Sequence, residues 1–187
     1  MKKIAAALLL STAVAAPAFA ADTGFYAGVA LGRSNTGNIA ANTVMTKSSD
    51  TVGSILAGYQ FNKNWGVEAL FGGAGKFTAT TGTVNLSGKT DVFSIAATGT
   101  LPMSNALSLY GKLGIASART SLSSIPASNA AGKTASNATF GLGLQYNATS
   151  AVGIRLGWDR YRAEVTAAPA TNKFNENVYS LGAVFKF

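Results

Sequence analysis

Few side chains in this sequence could do chemistry, and the residue types it lacks narrow the options first. The 187-residue chain has no His and no Cys, so it can build no Ser-His-Asp or Cys-His relay, no thiolate nucleophile, no disulfide and no zinc site of nitrogen and sulfur ligands. Glu68, Lys112 and Arg155 fall mid-segment on the small-polar faces of period-two stretches, where opposite charges facing a closed interior would pair with one another. Asp159 and Glu164 are the remaining carboxylates an enzyme could use. They fall at the end of one segment and in the connection after it, and solvated rim charges are expected there rather than a general acid and base. Two glycine-rich stretches imitate phosphate loops. Gly82 to Thr90 has one residue too many between Gly82 and Gly88, and Gly72 to Phe77 has no hydroxyl after Lys76 to hold magnesium. No catalytic residue, metal site or cofactor is expected.

The elements that would position these charges follow from composition and period. Apolar residues make up 48% of the chain and charged residues 12%, about half the charged share of roughly a quarter that a water-facing surface carries. Met1 to Lys3 is basic, Ile4 to Leu10 is apolar, and Ala18-Phe19-Ala20 is a small-x-small site, the order of a cleavable secretory signal peptide over 1–20. The remainder, 21–187, is read as one domain with a net charge of +6. It has no apolar run of about 18 residues that could cross a bilayer as a helix. Instead, eight segments alternate apolar with small or polar residues: about 25–33, 52–61, 65–73, 91–101, 107–116, 138–146, 151–161 and 177–187. The connections at 62–64, 102–106 and 147–150 are tight, and those at 34–51, 74–90, 117–137 and 162–176 are long. That alternation predicts an all-β fold, an eight-stranded antiparallel up-and-down transmembrane barrel. Aromatics agree: Phe25, Phe61, Trp65, Tyr146, Phe185 and Phe187 would ring one rim, and Phe93, Phe140, Trp158 and Tyr179 the other.

Specific stretches carry a family resemblance: Gly24-Phe25-Tyr26-Ala27-Gly28, Ala57-Gly58-Tyr59-Gln60-Phe61-Asn62, Leu109-Tyr110-Gly111-Lys112-Leu113-Gly114, and the final Ser180-Leu181-Gly182-Ala183-Val184-Phe185-Lys186-Phe187. Together they resemble the eight-stranded outer-membrane barrels of the outer-membrane protein A and opacity type, without the periplasmic domain that holds peptidoglycan in larger relatives. The resemblance implies an insertion signal at Ser180, Gly182, Phe185 and Phe187. It also implies that Glu68 and Arg155 match charges of an internal salt-bridge gate. Thr98 and Gln145 stand where the family has the second basic and second acidic partners. With both neutral, a statically packed lumen is expected, and a narrow gated pore is the alternative.

The expected function is therefore non-enzymatic: a small integral barrel of the Gram-negative outer membrane, serving envelope integrity or surface contact through extracellular loops, with both termini periplasmic. Expected partners are outer-membrane lipid, the barrel-assembly machinery, and lipopolysaccharide through Arg160, Arg162 and Lys173, whose cations suit phosphate. The scattered basic residues form no nucleic-acid patch. A monomer is expected because closure leaves no free strand edge. The competing class is a secreted soluble β-sandwich or lipocalin-like binder, in which the apolar faces would point inward.

Overall fold

The computed structural model describes residues 23–37, 44–81, 84–125, 130–167 and 170–187. The signal peptide expected over 1–20 lies outside them. Among the described residues there are ten strands: β1 (Gly24–Thr36), β2 (Val44–Lys47), β3 (Ser49–Gln60), β4 (Trp65–Thr81), β5 (Val84–Pro102), β6 (Leu107–Ile125), β7 (Ala130–Gly132), β8 (Thr134–Asn147), β9 (Val152–Ala167) and β10 (Ala170–Lys186). The short β2 and β7 are outer pieces separated from β3 and β8 by one residue each, so the wall has eight staves. Every pairing is antiparallel, and β1 bonds to both β3 and β10, which closes the sheet into a barrel.

The three tight connections share one device. Asn62 Oδ1 accepts from the amides of Asn64 and Trp65, both at 2.9 Å. Ser104 Oγ takes the Leu107 amide at 3.1 Å, and Thr149 Oγ1 takes the Val152 amide at 3.0 Å. A short polar side chain thus replaces a backbone partner at each reversal, which is why these residue types start the turns.

Alternation decides which face meets what. Phe25, Leu31, Ile55, Trp65, Phe71, Phe93, Ile95, Leu113, Ile115, Leu142, Leu156 and Leu181 are exposed on the outside, whereas Glu68, Ser94, Thr98, Ser108 and Gln145 are buried inside. The soluble sandwich and the lipocalin-like cup both need the reverse, so both are excluded. On β5 the apolar outer face runs from Phe93 to Leu101, close to the 9–11 residues a tilted strand uses to cross the hydrocarbon layer.

Two expectations are corrected. The long connections are mainly strand: β4 and β5 pair as far as Thr81 and Val84, β9 and β10 as far as Ala167 and Ala170, and β6 runs to Ile125. In addition, the inner face is not uniformly small and polar: beside the apolar belt Tyr26, Leu56, Leu70 and Val184 form an apolar cluster within it. Beyond the Phe93, Trp158 and Tyr179 positions the polarity inverts. Lys89, Arg119 and Ser121 point outward there, and Val52, Ala74, Phe77, Val92, Ala118, Tyr161, Phe174 and Val178 pack inside. The rings of Phe77 and Phe174 meet edge to face at 5.6 Å. Outside a lipid belt, water wets the wall, so the apolar residues move inward. Gly82 and Thr83 lie outside the described residues, and the rest of both phosphate-loop imitations falls in strands. Gly88 to Thr90 belongs to β5 with Lys89 bonded to Asp91 at 3.0 Å, and Gly75 sits at an irregularity of β4 with φ of +134°.

Candidate functional site in the barrel lumen

The lumen gathers charges from three staves. Glu68 projects from β4 between Gly58 of β3 and Ala96 of β5. Lys112 projects from β6 between Thr98 and Gly141, and Arg155 from β9 between Gln145 and Gly182. Small neighbours make the room. A Cβ at Gly141 would collide with the Asp159 carboxylate and the Lys112 stem, and one at Gly58 with the Tyr26 ring.

These residues form a single network. Lys112 Nζ lies 3.3 Å from Glu68 Oε1 and 3.0 Å from Asp159 Oδ1. Arg155 pairs with Glu68 Oε2 through Nη1, while its Nε and Nη2 donate to Gln145 Oε1 at 3.2 and 2.9 Å. The Tyr26 hydroxyl donates to Glu68 Oε2 at 3.2 Å. The guanidinium also lies over the Tyr110 ring, 4.4 Å from its centroid, and 5.6 Å from that of Tyr26. Two cations and two carboxylates therefore balance, with tyrosines and an amide taking up remaining hydrogen-bonding capacity. That is the condition under which buried charge is tolerated.

Glu68, Lys112 and Arg155 are thus brought together. Asp159, expected as a solvated rim charge, is instead 4% exposed inside the network. The period of two carries the reason, since Asp159 shares parity with Arg155 and must face the same way. Gln145 is neutral as expected at its matched position and acts as acceptor for Arg155. The second acid comes from Asp159, two pleat repeats beyond Arg155 along β9.

The other expected residues take their places on the wall. Phe25, Phe61, Trp65 and Tyr146 are exposed near the tight-turn rim, and Trp158 and Tyr179 lie outward toward the other. Ser180 and Gly182 face inward on β10, Phe185 faces outward, and the Phe187 amide donates to Phe25 O at 2.9 Å. Arg160 sits 5.4 Å from the Trp158 ring and donates to Asn177 Oδ1 at 2.8 Å. Arg162 and Lys173 are exposed. Glu164 is held between Lys133 at 3.1 Å and Lys173 at 3.6 Å, and the Lys133 hydrogen bond with the nearby ammonium charges keeps its carboxyl below the usual range.

The sequence reading missed Glu176 entirely. It lies beyond the aromatic row, its carboxyl enclosed, with Thr36 Oγ1 donating to Oε2 at 2.8 Å and Oε1 unpartnered among the described residues. Burial pushes its pKa up to about 8, and the Thr36 hydrogen bond offsets only part of that. Nothing marks it in the sequence except its inward parity on β10.

The exposed apolar belt around a charge-lined lumen agrees with the family comparison, in which the outer membrane protein beta-barrel domain matches residues 6–187. The chain belongs to this family. Solved barrels of the same shape include Neisserial surface protein A, at 15% identity, a TM-score of 0.61 and coverage of 88% of this chain and 97% of that one. OprG of Pseudomonas aeruginosa follows at 17%, 0.56, 90% and 99%. The attachment invasion locus protein Ail of Yersinia pestis stands at 17%, 0.53, 88% and 99%. No curated protein matches by sequence. Membership in the outer-membrane barrel family places the exposed belt in the lipid of that membrane.

Proposed function

We propose that this outer-membrane barrel is a closed, non-enzymatic envelope protein that works through its wall and outer hairpins, not by passing solutes. The observation that carries this reading is a lumen closed twice. The charge network spans it beside the belt, and the voids against it are only about 20 and 10 Å3, each room for about one water. The apolar packing around Phe77 and Phe174 follows. The tight turns and both ends of the barrel sequence then face the periplasm, and the long hairpins face outward. The barrel-assembly machinery would read Ser180, Gly182, Phe185 and Phe187 on the closing strand. Closure on both edges favours a monomer.

The outer wall supplies the contact surface. Arg160, Arg162 and Lys173 stand just beyond Trp158 and Tyr179, at the depth of lipid headgroups, and a guanidinium matches a phosphate in both charge and geometry. Lipopolysaccharide is the partner this arrangement suits. Lys112, shared between Glu68 and Asp159, favours a second reading as a narrow pore gated by exchange of ion pairs.

Refolding residues 21–187 into micelles and planar bilayers separates these readings. A heat-modifiable gel band with no discrete conductance supports the closed barrel. Discrete openings abolished by Lys112→Met establish the pore, and a chain that stays folded without detergent overturns the membrane reading.

A further inference from the structure

The glycine-rich Gly72-Gly73-Ala74-Gly75 stretch is no phosphate loop, yet it marks where β4 parts from the wall. The β3–β4 ladder ends at Ser54 and Gly72, and β2 takes up that side of β4 only at Lys47 and Thr78. In between, β4 closes over the lumen. A Cβ at Gly75 would strike the Ser34 hydroxyl of β1 and come within 3.9 Å of Glu176 Oε2 of β10, strands that lie on the far side of β3. Two residues on, the Phe77 ring packs edge to face on Phe174 of β10. The outer half of β4, paired with β5 out to Thr81 and Val84, thus lies as a flap against β1 and β10. Three glycines stand at its base, where backbone rotation is least hindered.

Under this flap lies the Glu176 carboxyl, fully enclosed, with the Thr36 hydroxyl its one donor among the described residues and Oε1 without any. Ser34 and Thr36 face it from β1, Tyr161 from β9 and Gly75 from β4. None of these is a cation. Arg33, Lys76, Arg160, Arg162 and Lys173 leave the same strands on the outer face, Lys112 is held by Glu68 and Asp159, and Glu164 is taken by Lys133 and Lys173. An ionised carboxylate enclosed without a partner is strongly disfavoured, so the closed arrangement suits the neutral acid alone. We propose that the outer β4–β5 hairpin is a pH-operated flap, shut over Glu176 while that side chain is protonated and released when it ionises. Release bares the apolar interior around Phe77 and Phe174 and leaves the charge network beside the belt in place. The inference uses the orientation proposed above only to say that the outside medium sets the pH.

The test follows amide hydrogen exchange of the refolded barrel in micelles between about pH 5 and pH 9, as protection relative to an unstructured peptide at each pH. Glu176 has an ordinary value of 4.5 and titrates near 8 when enclosed. Protection of the amides at 75–78 and 88–90 should therefore fall by up to about tenfold per pH unit across that window and level off above it. These amides should also be less protected than those of Leu113 and Leu156 in the belt, because the flap opens without the barrel. Glu176→Gln keeps the volume and should hold flap protection constant with pH. Thr36→Val deletes the donor that favours the ionised form and should carry the fall to higher pH. Equal protection of flap and belt at every pH overturns the proposal, since opening would then be global unfolding. So does a slope that survives Glu176→Gln or, should that variant form no barrel, an unchanged profile in Thr36→Val. Heat-modifiable gel mobility, recorded on every sample, shows whether the barrel formed, so failure of the flap is distinguished from failure of the barrel reading.

Discussion

Charge inside this barrel is worth more than charge outside it, because the same ion pair is screened by water in one place and enclosed in the other. Glu68 is 2% exposed and answers both Lys112 and Arg155. Glu68→Gln keeps the volume and removes the charge, leaving two cations to one acid, and should cost about 3–5 kcal/mol in urea unfolding from lipid vesicles. Removing Lys47, whose side chain is exposed and reaches Asp50 at 3.5 Å, should cost about 0–1 kcal/mol by the same measurement. Glu176 behaves in the opposite sense. Its carboxyl titrates near pH 8 in the fold against an ordinary value of 4.5, so between those values the folded state holds a proton that the unfolded chain has released. Stability is then lost as pH rises through that window and stays level above it. Glu176→Gln keeps an oxygen to accept from Thr36 and should flatten the pH dependence, unfolding later than the parent at pH 8 and alike near pH 4. An unchanged slope in the variant would place the titrating group elsewhere.

Strands were legible where two faces differ and obscure where they do not. From Phe93 to Leu101 apolar and polar residues alternate on β5, and the period appears directly in the sequence. Residues 117–123 of β6 carry mostly Ser, Ala, Thr and Arg where the outer wall is wetted by water, so the alternation has little contrast and reads as loop. In β4 the phase itself breaks. Gly73 faces outward, Ala74 and Gly75 are both buried, and Lys76 is outward again, so a strict period of two loses register there. Gly75 permits this with φ of +134°, and its missing Cβ leaves space for the Ser34 hydroxyl. Gly75→Ala meets both obstacles and should destabilise the barrel by about 1–3 kcal/mol. Ser34→Gly in the same chain should recover the part due to crowding and leave the backbone part. Full recovery would mean that φ at this position carries no strain. The charge network was partly legible for a related reason. Glu68, Lys112 and Arg155 sit mid-segment, where parity is secure, while Asp159 stands near a segment end, where position along the strand argues for a solvated rim against the inward parity.

At the scale of the whole molecule the fold is a change of solvent written along each stave. In the belt, lipid takes the outward Leu, Ile and Phe, and the lumen takes the charges beside a small apolar cluster of Tyr26, Leu56, Leu70 and Val184. Beyond it, water takes the outward Lys, Arg and Ser, and the lumen takes Phe77, Phe174 and Val92. Composition and loop spacing made the barrel legible, because they report how much surface avoids water and where the chain turns. The inversion was not legible, because inward residues of the outer zone come from eight staves and meet only once the barrel is closed. One strand can test the whole scheme. Leu113 and Ser121 both face outward on β6 and are both exposed, so a soluble protein would tolerate Arg at either. Here Leu113→Arg puts a cation into the lipid belt and should cost about 2–4 kcal/mol, whereas Ser121→Arg beyond the belt should cost about 0–1 kcal/mol. Urea unfolding in phospholipid vesicles reads both. Equal effects would mean that the two positions share one solvent, and the assignment of the belt would fail with them.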